Sequence, residues 1–274
     1  MIHLSALADE ISPDLDAQLA VLRAEGIHHL ELRGAWGTNV LDLSDAQVAE
    51  IGRASAAAGL RVSAVAAPIG KVPIDGPAAD EGPRLARAIA VAQALGTARI
   101  RIFSFYPAAG EESPPPRDAV LARLRALTAQ AAAAGVMLLH ENEKDIYGDS
   151  IARCVDLLQS VDDPHFRALL DPANFLQCGQ RPYPDAYVAL QPWLTYVHVK
   201  DVDRDGTLVV AGAGEADWPA LLARLRADGY DGFLSLEPHL EAAGQFQGFS
   251  GPDRFRQASQ ALQRLLKDMG WEYA

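Results

Sequence analysis

The sequence repeats one pattern, in which a helical stretch ends in glycine and an apolar or β-branched run follows at once. The pattern occurs with the glycines Gly26, Gly59, Gly96, Gly135 and Gly229. Glycine suits the position after a helix because it adopts a positive φ without a Cβ clash. The spacing of the first four glycines fits one strand and one helix each, so the pattern predicts alternating strands and helices.

Eight strands and eight helices follow from this alternation. The long gap between the last two glycines has room for two more strands, which fit residues 165–171 and 193–201, and residues 2–9 supply the first strand. We predict helices at 13–25, 44–58, 77–95, 117–134, 149–160, 183–191, 217–228 and 252–269. Such strict alternation predicts an α/β fold, a (β/α)8 TIM barrel that forms a single domain over residues 1–274. A doubly wound open sheet is the competing fold, but it usually has fewer strands at this length, and no Gly-x-Gly-x-x-Gly motif follows the first strand.

Composition narrows the class of protein further. Of the 274 residues, 49% are hydrophobic, which is enough for a large core. The formal net charge of −12 argues against non-specific binding of nucleic acid, because a phosphate backbone would be repelled. The sequence has neither a signal-peptide pattern nor an apolar run that could span a membrane, so we expect a cytoplasmic protein without a membrane partner. The two cysteines, Cys154 and Cys178, form no CxxC pair, and we expect inert thiols.

Four consecutive predicted strands carry an acid or a histidine at their carboxyl ends, where the chemistry of a TIM barrel lies. These residues are Glu141, Asp171, His198 and Glu237. In a closed barrel their side chains would converge over one mouth, where three crowded carboxylates would repel one another strongly. A divalent cation relieves that repulsion. Oxygen ligands with one imidazole suit Mn²⁺, Mg²⁺ or Co²⁺, and Zn²⁺ also accepts such a set, so we predict one divalent metal ion.

Each of these residues also has a purely structural interpretation. Asp171 precedes a proline and could open a turn, His198 could be a satisfied core histidine, and Glu237 could be solvated at the rim. Those interpretations would require ligand-type residues to fall at four successive strand ends by chance. A shared metal site accounts for all of them at once.

At these residues the sequence resembles the xylose isomerase-like TIM barrels, the sugar phosphate isomerase/epimerase family. The segments LLHENE, LLDPANF, YVHVKD and SLEPHL resemble the family's motifs at strands 5 to 8, and the resemblance runs over essentially the whole chain. It implies that Glu141, Asp171, His198 and Glu237 hold a single divalent metal. It also implies that the two glutamates move the substrate proton, one from each face, and that Arg204, six residues after the histidine, contacts substrate. Endonucleases of the same superfamily use additional histidines, and the predicted third and fourth strands end without one.

Other residues are predicted to line a substrate site. Asn174 stands where epimerases commonly have a histidine, a departure from the family pattern. Lys200 shares a strand face with the predicted histidine ligand and could hold a polar substrate group or form an ion pair. Glu31 and Arg33 end the second strand on one face, where they could reach substrate or pair with each other. Lys71 could reach the mouth from the third loop.

The predicted activity is that of a divalent-metal-dependent isomerase or epimerase. It would move a proton beside the carbonyl of a sugar or sugar phosphate through an enediolate, with Glu141 and Glu237 as the catalytic bases. The same metal could instead serve a dehydratase of a keto-polyol. A Schiff-base aldolase using Lys200 or Lys144 and a sugar-binding protein without turnover are further alternatives. We expect a small sugar or polyol as the partner, no nucleic acid, and a homodimer as a compatible oligomer.

Overall fold

The computed structural model describes residues 1–76, 80–111, 114–241 and 248–274. Eight parallel strands form a nearly closed barrel. The strands are β1 His3–Ala6, β2 His29–Leu32, β3 Arg61–Ala66, β4 Arg99–Ile102, β5 Met137–Glu141, β6 Phe166–Leu170, β7 Leu194–Val199 and β8 Phe233–Leu236. The helices are α1 Leu15–Ala24, α2 Asp45–Ala57, α3 Gly82–Ala94, α4 Arg117–Ala133, α5 Ile151–Val161, α6 Pro172–Gln177, α7 Tyr187–Leu190, α8 Trp218–Ala227 and α9 Gly251–Asp268.

Each strand pairs in parallel with the next strand along the chain from β2 to β8, and β8 pairs with β1. The remaining seam lies between β1 and β2, where a single parallel bridge joins Leu7 to Glu31. The predicted (β/α)8 barrel is therefore confirmed. All eight strands point their carboxyl ends to the same side, which brings the ends of β5, β6, β7 and β8 around one mouth.

The helices follow the predicted order with three differences. Helix α3 begins at Gly82, and the predicted start at 77–79 lies outside the described residues. The segment predicted as a helix at 183–191 is broken into a π-turn over Pro182–Ala186 and the single turn α7, because its prolines lack the N–H donors of a regular helix. The short helix α6 was not predicted, although Asp171 followed by Pro172 is a typical helix start.

The outer core lies between the barrel and its helices, where the large side chains of Trp218, Phe255 and Phe175 are fully buried. Burial of such apolar surface is the main stabilising term of the fold. Across the part of the chain that the structure describes, the helices all fall short of the length and apolarity needed to cross a membrane.

The inside of the barrel changes from apolar to polar along its axis. Its amino end is filled by a separate apolar cluster of Ala64, Leu139, Leu169, Tyr196 and Phe233. A polar layer comes next, in which Ser63 Oγ lies 2.7 Å from Ser5 Oγ and 2.9 Å from the Tyr196 hydroxyl. Inward-facing side chains recur every second residue along a strand, so His198 stands one step beyond Tyr196, toward the mouth. The polar side chains inside the barrel therefore lie toward the carboxyl ends of the strands.

The loop after β7 is anchored by the buried carboxylate of Asp201. Its two oxygens accept hydrogen bonds from the backbone N–H groups of Val202 at 2.9 Å, Gly212 at 3.0 Å, Gly214 at 3.0 Å and Ala216 at 3.1 Å. A Cβ on Gly214 would collide with the Asp201 side chain, so this close approach needs glycine. One side chain thus holds the loop that covers part of the barrel mouth.

Replacing Asp201 with asparagine is expected to lower the free energy of unfolding by about 2 kcal/mol, because an amide N–H₂ would face backbone donors in place of a carboxylate oxygen. Urea unfolding followed by circular dichroism measures the change. Asp203→Asn is the matched control, since Asp203 accepts the N–H groups of Asp205 and Thr207 at an exposed turn. Its expected cost is within about 0.5 kcal/mol. Equal losses in the two variants would contradict an anchoring role for Asp201.

Candidate metal and active site

Four buried ligand-type side chains meet at the carboxyl ends of β5 to β8. Glu141 is the last residue of β5, Asp171 follows β6, His198 is the penultimate residue of β7, and Glu237 follows β8. Each offers one ligand atom, and these atoms all lie within 4.8 Å of one another. We call these four residues the ligand cluster.

The donor atoms of the ligand cluster are arranged as a divalent cation would need. His198 Nδ1 lies 3.2 Å from Glu141 Oε1 and 3.0 Å from Glu237 Oε2. Within the described chain, the buried oxygens Glu141 Oε2 and Asp171 Oδ2 accept no aligned hydrogen bond, although positively charged side chains lie 3.2 and 2.7 Å from them. Buried carboxylate oxygens without an aligned donor cost free energy, and a divalent cation would satisfy them. Three carboxylates and one imidazole therefore fit a divalent ion by chemistry and by position.

Lys200 places an ammonium group inside the ligand cluster. Its Nζ lies 2.7 Å from Asp171 Oδ2 and 3.3 Å from Glu237 Oε2. Burial lowers the pKa of Lys200, but the two carboxylates outweigh burial and raise it above its usual value. Burial also raises the pKa of Asp171 to about 7, although the ammonium opposes this shift. The ion-pair interpretation of Lys200 is thus what the structure displays, and the side chain also lines the cavity described below.

Glu237 is held as a carboxylate by the charges around it. Burial alone would raise its pKa, but Lys200 and His198 lower it well below its usual value. Its other oxygen, Oε1, lies 3.6 Å from Nη1 of Arg33. Glu237 is therefore ionised at neutral pH and held from two sides.

Glu31 supports the far side of the histidine. Both Glu31 oxygens lie within 3.2 Å of His198 Nε2, and Ser235 Oγ donates a hydrogen bond of 2.7 Å to Glu31 Oε2. Glu31 is fully buried below the ligand cluster and is not among the residues that line the cavity. A substrate contact of Glu31 stays a prediction from the sequence. The structure places this side chain behind His198, at a depth that alternation along one strand does not predict. Its predicted pairing with Arg33 is also absent from the described contacts.

Arg33 pairs instead with two acids that the sequence analysis overlooked. Its Nε donates to Asp9 Oδ2 at 2.8 Å, and its Nη2 lies 3.4 Å from Glu10 Oε1. Burial raises the pKa of Glu10 to about 7, although Arg33 opposes the shift. The signal for this group was the acid pair that directly follows the first strand. The group positions Arg33 against Glu237 at the rim of the site.

Two asparagines tie the ends of β5 and β6 together. Asn142 accepts from the backbone N–H of Asp171 at 2.8 Å and donates to its carbonyl at 2.8 Å. Asn174 Nδ2 donates to Glu141 Oε1 at 3.3 Å, and the Asn174 N–H donates to Asp171 Oδ1 at 2.9 Å. Asn174 also lines the cavity, so its role in substrate binding remains a prediction.

A cavity of about 230 Å³ opens above the ligand cluster. Its wall combines acids with a larger number of cations. The positively charged lining residues are Arg33, Lys71, Arg101, Lys144 and Lys200, and the negatively charged ones are Glu141, Glu143 and Glu237. Lys71 reaches the mouth as predicted, and its Nζ lies 2.9 Å from Glu143 Oε2. Asp171 and His198 lie below the cavity and do not line it.

Arg101 is a cavity residue that the sequence analysis missed. It lies on β4, is only 4% exposed, and places Nη1 3.2 Å from Glu141 Oε2. Its guanidinium carbon lies 4.5 Å from the centre of the Phe103 ring. The available signal was the alternating Arg-Ile-Arg-Ile segment of this strand, which points Arg99 and Arg101 into the barrel.

Arg204 is not brought to the site. Its side chain is 85% exposed, and its Nε donates to Glu215 Oε1 at 3.0 Å in the loop after β7. It does not line the cavity. The predicted substrate contact of Arg204 therefore finds no support in this arrangement of the loop, whose conformation strand periodicity does not determine.

Comparisons with known proteins agree with this architecture. The family model described as xylose isomerase-like TIM barrel matches residues 19–267. A curated 3-dehydroshikimate dehydratase from Bacillus anthracis is 26% identical over 106 residues, which are 39% of this chain and only 38% of that protein. A solved D-allulose 3-epimerase from Methylomonas sp. is similar with a TM-score of 0.75 and 17% identity, over 97% of this chain and 98% of its own. A xylose isomerase-like TIM barrel protein from Mycobacterium smegmatis, solved in complex with magnesium, is similar with a TM-score of 0.72 and 17% identity, over 97% of this chain and 96% of its own.

Proposed function

Because this chain belongs to the xylose isomerase-like TIM barrel family, we propose that it is a divalent-metal-dependent isomerase or epimerase of a small sugar or sugar phosphate. The observation that carries the proposal is the pair of buried glutamates, Glu141 and Glu237, which face one cavity from different strands and share one ligand cluster. A similar protein binds magnesium and another is an epimerase, which favours the same conclusion. A cytoplasmic location, the absence of a nucleic-acid partner and a homodimer remain predictions from the sequence.

The ligand cluster would hold the ion through Glu141, Asp171, His198 and Glu237. When bound, a divalent cation acts as a Lewis acid that draws charge from a carbonyl and makes the adjacent C–H more acidic. Asn174 and Asn142 would keep the β5 and β6 ligands in place, while Glu31 would accept the Nε2 proton of His198 and leave Nδ1 free to face the other ligands.

Glu141 and Glu237 would take and return the substrate proton. Glu237 is a carboxylate at neutral pH, so it can accept a proton from a carbon acid at the cavity floor. Glu141 contacts the same cavity from β5 and can deliver or remove a proton on another side of the substrate. Return to the same carbon from the opposite face gives an epimer, and return to the adjacent carbon gives an isomer.

A metal-dependent dehydratase of a keto-polyol is the second candidate, since the curated relative with local similarity is a 3-dehydroshikimate dehydratase. The same two glutamates would serve it, with loss of a β-hydroxyl in place of proton return.

A Schiff-base aldolase is disfavoured for Lys200, because two carboxylates hold its ammonium protonated and an ammonium is not a nucleophile.

Solvent-deuterium exchange separates these activities. The Mn²⁺-loaded protein is incubated in D₂O with ketoses, ketose phosphates and cyclic keto-polyols, and products are read by NMR and mass spectrometry. An epimerase or isomerase incorporates deuterium at a carbon next to the carbonyl, and a dehydratase forms an ultraviolet-absorbing enone. If no substrate in the panel gives either deuterium label or enone, proton-transfer chemistry at this site is contradicted. Covalent trapping by borohydride would favour the Schiff-base route.

Glu31→Gln is expected to weaken Mn²⁺ binding by about 10-fold, because loss of the carboxylate behind His198 reduces both the basicity and the fixed orientation of the imidazole. Calorimetric titration measures the affinity. In the Mg²⁺ form, long-range ¹H–¹⁵N NMR of labelled histidine should show the Nε2 proton of His198 in the unaltered protein. Glu50→Gln is the control, because Glu50 is an exposed acid paired with Arg53. Unchanged Mn²⁺ affinity in Glu31→Gln would remove the supporting role.

A further inference from the structure

Arg101 is a buried cation that makes no hydrogen bond with the described residues. It is 4% exposed, and its Nε makes no hydrogen bond with any described residue. Its one ion-pair contact is Nη1 to Glu141 Oε2 at 3.2 Å, which lacks the alignment of a hydrogen bond. A guanidinium has five N–H donors in a rigid planar fork and stays protonated in proteins. Nε itself is buried, so the amino groups Nη1 and Nη2 are the part of the fork available to the cavity that Arg101 lines.

The free fork cannot be explained as packing alone. Leaving a buried donor of a charged group unsatisfied costs more free energy than leaving a neutral one, so such groups normally have acceptors. The Phe103 ring, 4.5 Å from the guanidinium carbon, supports one face of the plane and supplies no acceptor in that plane. Water or a ligand in the cavity supplies acceptors for these donors, and an acidic ligand group also matches the charge of the guanidinium.

A second cation lies beside the same ring. The ammonium of Lys71 is 4.2 Å from the centre of the Phe103 ring, and Lys144 lines the same cavity. Lys71 has Glu143 as a partner at 2.9 Å, so part of its charge is already balanced. Like charges gathered around one aromatic ring repel each other, and an anion between them would relieve that repulsion. This wall of the cavity, formed by Arg101, Lys71 and Lys144, is called the cationic wall below.

We infer that the substrate carries a carboxylate or phosphate group that binds to the Arg101 fork at the cationic wall. Both acids match a guanidinium through two parallel N–H···O bonds. The hydroxy-carbonyl part of the substrate would then lie toward the ligand cluster, since Arg101 adjoins Glu141. The inference rests on the proposed function, because it takes this cavity as the substrate site, and it narrows the substrate class from sugars in general to acidic ones.

The test uses three probes that share a six-carbon polyol chain and cannot undergo the proposed reaction, because none has a ketone or aldehyde group. They are D-gluconate, D-glucitol 6-phosphate and neutral D-glucitol, each titrated calorimetrically at constant ionic strength into the protein. We expect at least one acid to bind about 10–100-fold more tightly than glucitol, as charged hydrogen bonds of this kind imply. The two acid arms distinguish a carboxylate from a phosphate. Titrations with and without Mg²⁺ show whether the preference persists when no metal can bind the acid directly.

Arg101→Met is expected to remove the acid preference, and Arg101→Lys to keep part of it because the charge remains without the fork. Arg99→Met is the matched control, since Arg99 precedes Arg101 by two residues on β4 and stacks on Phe233 at the other end of the barrel. It should bind the acids as the unaltered protein does. Thermal unfolding shows whether each variant is folded. If Arg101→Met does not fold, the acid preference of Arg101→Lys is compared with that of the unaltered protein, and a reduced preference is expected.

The inference is overturned if the unaltered protein binds neither acid more tightly than glucitol, or if Arg101→Met retains the full preference. An acid preference that appears only with Mg²⁺ and does not depend on Arg101 also overturns it, because the metal alone would then account for binding. An Arg101-dependent preference in a protein that exchanges no deuterium with any carbonyl substrate would leave this inference standing and remove the proposed function. Turnover of neutral ketoses without any preference for acids would support the proposed function and overturn the inference of an acidic substrate.

Discussion

Replacement of Glu237 by glutamine is expected to lower kcat by about 10²–10⁴-fold, which is the usual contribution of a positioned acid or base. The amide keeps the shape of the side chain but cannot accept a proton from a carbon acid. Glu237 is buried, its pKa lies well below its usual value, and it contacts both Lys200 and Arg33. Glu141→Gln should have a comparable effect, because in the proposed mechanism one glutamate removes a proton and the other delivers one on another side of the substrate. Initial rates at saturating substrate measure the loss.

The loss must be separated from weaker metal binding, since Glu237 also belongs to the ligand cluster. Rates are therefore compared at Mn²⁺ concentrations that saturate each variant, as established by calorimetric titration. Glu143→Gln is the control, because Glu143 lines the same cavity but pairs with Lys71 and lies outside the ligand cluster. Its kcat should change by less than about 10-fold, a value set by one weakened ion pair. If Glu237→Gln keeps more than a tenth of the original kcat at saturating metal, proton transfer by this residue is ruled out.

Removal of divalent metal is expected to lower turnover by at least about 10²-fold, because Lewis-acid stabilisation contributes several kcal/mol to the transition state. Dialysis against a chelator followed by readdition of Mn²⁺, Mg²⁺ or Co²⁺ should restore the rate. The added ion should also stabilise the fold, by about 2.7 kcal/mol when its free concentration is 100 times Kd. Thermal unfolding at graded metal concentrations provides a readout independent of turnover.

Asp171→Asn identifies the site responsible for that stabilisation. Asp171 accepts the N–H of Asn174 at the start of α6, and asparagine is an equally good residue at this position, so the helix start should survive. The charge next to the ion would be lost, and the metal-dependent rise in unfolding temperature should shrink. Asp185→Asn is the control on the surface, where Asp185 pairs with Arg181. Equal metal stabilisation in all three proteins would locate the ion somewhere other than the ligand cluster.

The barrel and the position of the ligand cluster could be predicted from sequence because both depend on local patterns. Glycine at helix ends marked the strands, and the carboxyl ends of parallel strands necessarily share one edge of the barrel. Asp171, His198 and Glu237 each lie within a residue or two of a strand end, so a small error in strand boundaries did not move them to another face. Their convergence follows from barrel closure alone.

The residues that sequence reasoning misplaced or missed depend on contacts between distant segments. Glu31 was assigned to substrate, yet its depth depends on how β2 packs against β7 and β8, which alternation along one strand does not specify. Arg101 was missed because an arginine in a strand could as well have faced a helix. Arg204 was assigned to substrate from the family resemblance, whereas the loop that holds it in this chain is shaped by the Asp201 carboxylate.

In the part of the chain that the structure describes, the apolar cluster fills the amino end of the barrel, opposite the cavity. Tyr196, Phe233 and their neighbours fill the axis below Glu31, while the cavity lies at the carboxyl ends of the strands. Substrate, water and protons would therefore reach the ligand cluster from the carboxyl end of the barrel, where a bound molecule would restrict the access of water. A glutamate that takes a substrate proton would exchange it with solvent more slowly while the cavity is occupied. An isomerase that returns this proton to the adjacent carbon should then incorporate less than one deuteron per turnover, whereas epimerisation with the second glutamate as proton donor should incorporate close to one.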